Sequence, residues 1–319
     1  MYVDRKIDRP WDPDEWLQTF LSPVATDYHR LRKQVFRYTV QAVKTGRYER
    51  LTRTPSGEPV IETVGLHLDP DMDKRTVFYR EEQHPPVRNR HAAMEIKVVE
   101  ADCLATARKY SLEGQGKVAV LNMASRTNPG GGVFTGAGAQ EEYCFRCSDY
   151  FRSLYQFLDF GKAYGVARRP ESYPMDRNFG GIYSPDVTVF RDTEETGYAF
   201  LEHPWKTNFI AVAGLNRPET EMRNGSLEII PALVPALENK IRTILNIAMA
   251  QEIDVLVLGA LGCGAFHNPP AHVARLFRDI LREDVYAHAF RNVLFAIKKD
   301  HNSHRMSPSL YEIFRNTLE

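Results

Sequence analysis

Net charge is what this sequence most conspicuously lacks. Lys plus Arg and Asp plus Glu each total 41 and cancel. A chain without a global basic field carries no electrostatic footprint for nucleic acid, so direct DNA binding is not expected. It also lacks an apolar run long enough to span a bilayer, and Asp4, Arg5 and Lys6 open it with no apolar block behind them. The expectation is a cytoplasmic protein, or a nuclear one if the source is eukaryotic, with no membrane partner. Cysteine is scarce too, and four in 319 residues are too few for a disulfide framework. Cys144 and Cys147 form a Cys-x-x-Cys pair, but no second pair or His cluster stands at ligand spacing. They read as packing residues of a helix, and neither a metal nor another cofactor is expected. Two nucleotide signatures are missing as well. There is no G-x-x-x-x-G-K-[ST] loop, so ordinary nucleotide hydrolysis lacks its lysine, and no G-x-G-x-x-G in its required place between a first strand and helix.

What is present suits a globular enzyme, with 43% apolar and 26% charged residues and length enough for one large core or two modest ones. Residues 1–20, with Trp11 and Trp16, read as an irregular arm packing through its aromatics. From Asp27 to Val43, the residues Leu31, Val35, Tyr38 and Ala42 recur at helical steps, and Gly46 is a plausible stop. Thr54-Pro55-Ser56-Gly57 reads as a turn and Pro59 to Leu68 as extended. Residues 81–92, with Pro85-Pro86, read as a connecting loop. They divide the chain into an N-terminal extension over 1–92, packing on a core over 93–319.

In that core, apolar strands alternate with helices. The strands are expected at Glu95–Val99, Lys117–Met123, Gly181–Phe190, Phe209–Leu215, Val255–Leu261 and Val293–Lys298. The helices are expected at Asp102–Leu112, from Gln140 through Leu154, and at Ile229–Ala250, Ala271–Leu281 and Pro308–Asn316. Continuous apolar strands separated by helices imply an α/β fold whose sheet is covered on both faces. Ligands of such sheets sit at the strand C-terminal ends.

Two glycine loops fall at those ends. In the first, five glycines lie within the nine residues Gly130 to Gly138, and Gln140, Glu141 and Glu142 follow. Backbone N–H groups between a strand and a helix can converge on an anion. Two acids beside such a site make sense if one of them does chemistry. The second loop, Gly259 to Pro270, repeats the logic with Gly262-Cys263-Gly264. Together two such passages could grip both sides of a diphosphate.

The run NPGGGVFTGAGAQEE (128–142) resembles the signature of microbial-type poly(ADP-ribose) glycohydrolases, in which GGG is followed by QEE. Here seven residues, Val133 to Ala139, lie between. VVEADCLATA (98–107), VLNMAS (120–125), YSPDVTVFRD (183–192) and GALGCGAFHNPP (259–270) agree in order, so the resemblance covers about residues 95–300. It implies a macrodomain-like mixed sheet sandwiched between helices, with a mainly helical N-terminal extension. It also implies an ADP-ribose site, with poly(ADP-ribose) or ADP-ribosylated proteins as partners. The reaction it implies is hydrolysis of ribose–ribose O-glycosidic bonds to release ADP-ribose. The alternatives are a non-catalytic ADP-ribose-binding module, or a hydrolase of another ADP-ribose conjugate. One stretch departs from the family, since Gly214-Leu215-Asn216-Arg217-Pro218 follows it only through Asn216.

Glycosidic cleavage needs a proton for the departing oxygen and then a base for water, commonly from two carboxylates flanking the bond. Neighbours on a helix point about 100° apart, so Glu141 and Glu142 are expected to divide the labour rather than face each other. By resemblance Glu142 is the general acid/base and Glu141 orients the ribose. Asn128 either holds the distal ribose or merely forms the turn before Pro129. Gly130, Gly131 and Gly132, with Val133, would bring backbone to the substrate, and Gln140 would hold either the loop or the substrate. Gly262, Cys263, Gly264 and Ala265 would offer amides, and Phe266 a contact surface unless it is plain core. Asp102 either accepts from the adenine amino group or only caps its helix. Asn268 reads as the start of a turn and His267 as a loop residue.

Overall fold

A computed structural model describes residues 9–22, 27–298 and 308–319. Residues 1–8 of the expected arm lie outside them. The rest of the arm is not irregular but forms helix α1 (Pro13–Leu21). Asp12 accepts the Glu15 N–H, and Pro13 takes a first-turn position where a missing N–H costs nothing. Trp11 and Trp16 are buried, and the Trp16 indole donates to the Leu31 carbonyl at 3.1 Å. Helix α2 (Tyr28–Thr45) starts on the Asp27 cap and stops at Gly46, whose φ of 67° is left-handed. Strands β1 (Arg47–Arg53) and β2 (Pro59–Gly65) pair antiparallel around the expected turn. Helix α3 (Met72–Arg75) and β3 (Val77–Tyr79) follow.

The remaining elements are β4 (Glu95–Val99), α4 (Cys103–Leu112), β5 (Val118–Met123), α5 (Gln140–Cys147) and α6 (Phe151–Tyr155). After them come β6 (Gly181–Arg191), β7 (Phe200–Val212), β8 (Thr220–Arg223), β9 (Ser226–Ile229) and α7 (Val234–Ala250). The chain ends with β10 (Val255–Leu258), α8 (Pro270–Leu281), β11 (Asn292–Ala296) and α9 (Leu310–Leu318). Seven strands make one mixed sheet in the order β3-β6-β7-β5-β10-β11-β4. Neighbours from β7 to β4 run parallel, while β3 is antiparallel to β6.

Three expected elements need correction. The helix after Gln140 is two helices, because Ser148 is extended (φ −148°, ψ 175°) and its hydroxyl bonds back to the Cys144 carbonyl. The span from Ile229 to Ala250 is not wholly helical, since β8 and β9 form a hairpin ending at Ile229 and the helix begins only past Pro231. Strand β7 starts at Phe200, nine residues before the apolar run that announces it.

The described residues fall into two compact units. The first takes those of 1–76, 128–173 and 184–206, and the second those of 77–127, 174–183 and 207–319. In the second, Leu121, Ile210, Leu256 and Val293 of the strands share a core with Ile241, Ile244, Phe277 and Phe314 of the helices. Each such side chain contributes about 1.5–3 kcal/mol on burial. The first unit has an aromatic core, in which Phe36, Phe145, Phe151 and Tyr155 meet at centroid separations of 5.6–6.4 Å. No helix among the described residues is long and apolar enough to cross a membrane.

Candidate active site

The first glycine loop folds on itself before it meets α5. Gly130 and Gly131 take left-handed backbone, at φ 83° and 54°. The Gly131 N–H donates to the Asn128 carbonyl (2.8 Å) and the Val133 N–H to the Gly130 carbonyl (3.0 Å). The first turn of α5 then sends two carboxylates back onto this loop. Glu141 Oε1 accepts the Gly130 N–H at 2.9 Å, and Glu142 Oε1 accepts the Gly132 N–H at 2.6 Å. The amides of Gly130, Gly131 and Gly132 are thus committed, one to the loop and two to the glutamates of α5.

A Cβ on Gly131 would overlap Glu142 Oε1 and lie 3.1 Å from Glu141 Oε2. Glycine at this position is therefore what lets both acids reach the same tripeptide. The helical fan that separates neighbouring side chains does not hold these two apart, because both fold back from the helix mouth. They are neighbours on one loop rather than a pair facing across a bond.

Both glutamates are buried, at 4% and 6% exposure, yet their surroundings differ. Glu142 Oε2 is buried and has no hydrogen-bond partner among the described residues. A buried acceptor left unmade costs about 1–3 kcal/mol, more when charged. The Tyr155 hydroxyl is likewise buried without a partner. Burial, with Tyr164 and the charge of Glu141, pushes that phenol well up, so it stays neutral. Asn128 is exposed, Gln140 is half-buried, and the Val133 side chain is fully packed away, leaving only its backbone for a ligand.

Phe134 had no place among the expected site residues. It is 42% exposed, with its ring against Phe36, Tyr155, Phe160 and Tyr164 at 5.8–6.0 Å.

The second loop, in the other unit, is pinned by Asn268. Its amide nitrogen donates to the carbonyls of Leu215 (2.7 Å), Gly262 (3.0 Å) and Phe266 (3.3 Å). Asn268 is therefore more than the start of a turn. Gly262 has φ 73°, and a Cβ there would run into the Asn268 amide. The N–H groups of Gly262, Gly264, Ala265 and Phe266 make no hydrogen bond among the described residues. Gly264 and Ala265 are exposed and Phe266 is half-buried rather than plain core. Burial pushes the Cys263 thiol far up, so it is no thiolate nucleophile. His267 is an exposed loop residue at φ 55°. Asp102 caps α4, with Oδ1 accepting the N–H groups of Leu104 (2.8 Å) and Ala105 (3.1 Å). Cys144 and Cys147 are fully buried packing residues.

A mixed sheet flanked by helices, with two buried glutamates turned onto a glycine loop, defines a macrodomain-like glycoside hydrolase. The family model of the microbial-type PARG catalytic domain matches residues 37–192. The poly(ADP-ribose) glycohydrolase of Thermomonospora curvata, solved with the inhibitor ADP-HPD, is 30% identical, with a TM-score of 0.65 over 90% of this chain and 99% of that one. The Deinococcus radiodurans glycohydrolase, solved with ADP-ribose, is also 30% identical, with a TM-score of 0.58 over 78% of this chain and 96% of that one. No curated protein matches. The chain belongs to the microbial-type poly(ADP-ribose) glycohydrolases, enzymes that hydrolyse the glycosidic bonds of poly(ADP-ribose).

Proposed function

We propose that Glu142 is the general acid/base of this glycohydrolase and that Glu141 orients the ribose. The observation that carries the reading is the asymmetry of the Glu142 carboxylate. One oxygen is fixed by the Gly132 N–H, and the other is buried with no partner among the described residues. A carboxyl held in this way has one oxygen committed to orientation and one left for a substrate proton.

In the first step Glu142 Oε2 gives its proton to the departing ribose hydroxyl oxygen as the bond to the anomeric carbon breaks. In the second step the carboxylate takes a proton from the water that adds to that carbon, which restores the acid. Glu141, fixed through the Gly130 N–H, is placed to accept from ribose hydroxyls. Asn128 and Gln140 are proposed to contact the same sugar, and the backbone of Gly130 to Val133 to shape the surface against it. The unpaired amides of Gly262, Gly264, Ala265 and Phe266, with Cys263 between them, are proposed to receive phosphate oxygens. Asp102 is proposed to accept from the adenine amino group. The proposed partners are poly(ADP-ribose) and the proteins that carry it.

The test is release of ADP-ribose from labelled polymer, run beside mono-ADP-ribosylated protein and O-acetyl-ADP-ribose. Turnover of the polymer, lost in Glu142→Gln while ADP-ribose still binds, supports the assignment. Undiminished turnover in that variant removes Glu142 from the role.

A further inference from the structure

The second half of the glycine loop has a purpose that phosphate binding does not explain. Gly136 has φ 81°, and a Cβ there would collide with the backbone carbonyl of His29 at the start of α2. A Cβ on Gly138 would meet the Arg32 guanidinium one turn further along α2. These two glycines form the seat on which α2 lies.

Arg32 is held there by Glu194, with Nε and Nη2 each 2.8 Å from a carboxylate oxygen. That fork is the main reason the Arg32 pKa is raised, and the charge of Glu142 adds to it. Glu194 Oε2 also accepts from the Tyr198 hydroxyl (2.9 Å), and that hydroxyl accepts from Arg146 Nε (2.8 Å). Arg146 Nη1 donates to the Ala137 carbonyl at 2.8 Å. The Ala137 N–H donates to the Gly132 carbonyl at 3.1 Å, and the Gly132 N–H donates to Glu142 Oε1. The Thr39 hydroxyl of α2 closes the arrangement by donating to the Arg146 carbonyl at 2.5 Å.

A chain of hydrogen bonds, linked through the backbones of Ala137 and Gly132, therefore runs from Arg32 to the carboxylate of Glu142. Arg146, Tyr198 and Glu194 are each largely or wholly removed from water, where such chains polarise one another and hold a single geometry.

We propose that Arg32, Glu194, Tyr198 and Arg146 are positioning residues for Glu142, which makes α2 a working part of the active site rather than an extension packed beside it. This rests on the acid/base reading of Glu142. None of the four takes part in the bond-making steps. Their effect is to fix the Ala137 and Gly132 peptides, and so the direction of the free Glu142 oxygen. A small misplacement of such a group costs on the order of 100-fold in rate.

Kinetics on poly(ADP-ribose) and calorimetric binding of ADP-ribose test this in Tyr198→Phe, Glu194→Gln and the double variant. Tyr198→Phe removes one oxygen and keeps the ring against Trp16 and Tyr143, so it decides the matter even if Glu194→Gln unfolds. The expected result is a fall in kcat of about 10- to 100-fold, with KM and ADP-ribose affinity within about twofold. The double variant should be no worse than the poorer single one, because the residues act as a unit. Arg32→Lys should recover part of what Arg32→Ala loses. Wild-type kcat in folded Tyr198→Phe, or a loss confined to KM, overturns the proposal. Glu142→Gln, run alongside, separates the two readings. If it retains turnover the acid/base assignment fails, and if it is inactive while the network variants are not, only the positioning role fails.

Discussion

Gly132 and Glu142 are joined by a 2.6 Å hydrogen bond, and the second carboxylate oxygen of Glu142 is buried with no partner among the described residues. The geometry separates two functions within one side chain. Replacing Glu142 with glutamine keeps the oxygen that Gly132 needs and turns the other into an amide that cannot deliver a proton. The expected loss in kcat is about 10²- to 10⁴-fold. Because glutamine keeps the shape of the side chain and the hydrogen bond to Gly132, the melting temperature should change little. Steady-state ADP-ribose release and thermal unfolding of the same preparation measure both effects.

Gly131 is where the backbone makes room for that carboxylate. In Gly131→Ala the methyl group takes the space of Glu142 Oε1, and the residue keeps a left-handed φ of 54°. The strain alone costs about 1–2 kcal/mol. Displacement of the carboxylate should in addition lower kcat at temperatures where the variant is fully folded. Gly57→Ala is the control, since its φ is 89° but nothing lies within 4 Å of the added Cβ. It should lose stability and keep kcat. Equal kcat in the two variants would show that the Gly131 methyl group does not disturb the acid.

The parallel strands were legible because burial on both faces writes continuous apolar runs, as in Val118 to Leu121 and Val255 to Leu258. The glutamate pair was legible from its fixed spacing after the glycines. The break at Ser148 was not, because Cys147, Tyr150, Phe151 and Leu154 keep helical spacing across it and all are buried. Strand β2 lies within the stretch read as extended, whereas β1 was missed, because its residues are mostly exposed or half-exposed and burial wrote little pattern into it. The path from Arg32 to Glu142 was invisible for another reason. Its hydrogen-bonded neighbours are 4 to 162 residues apart, and nothing local distinguishes Tyr198 or Glu194 from surface residues. Polar networks depend on three-dimensional proximity, whereas periodicity records only burial.

Asn268 should matter more than its place before two prolines suggests. One amide nitrogen serves two carbonyls of the second loop, Gly262 (3.0 Å) and Phe266 (3.3 Å), and the carbonyl of Leu215 (2.7 Å). Asn268→Ala leaves those carbonyls short of a donor in a side-chain position that is 2% exposed. The expected destabilisation is about 1–3 kcal/mol. With the loop loosened, ADP-ribose should also bind more weakly, while kcat at saturating polymer changes little. Chemical denaturation gives the first quantity and calorimetric titration the second. Unaltered affinity in a folded Asn268→Ala would remove the Gly262–Phe266 amides from the proposed binding role.

Lys240, on α7, gives the fold a pH dependence of predictable sign. It is 3% exposed, and burial, helped by the charge of Arg126 and opposed by Asp176, lowers its pKa from 10.5 to about 8. Below about pH 8 both folded and unfolded chains carry the proton, and the cost of burying the charge is present in full. Between about 8 and 10.5 the unfolded chain binds more protons than the folded one, so this residue makes stability rise with pH across that window. The gap between those values corresponds to about 3 kcal/mol. Lys240→Met keeps most of the packing volume and has no charge to bury, so it should be more stable than the parent at pH 7.5. Its advantage should shrink steadily toward pH 10, as the parent's lysine loses its proton in the folded state while the unfolded chain still holds it. Urea denaturation of the two proteins at several pH values isolates this residue, since the other titrating groups are common to both. Parallel stability curves would show that the Lys240 ammonium finds compensation in the folded protein that its burial and neighbours do not supply.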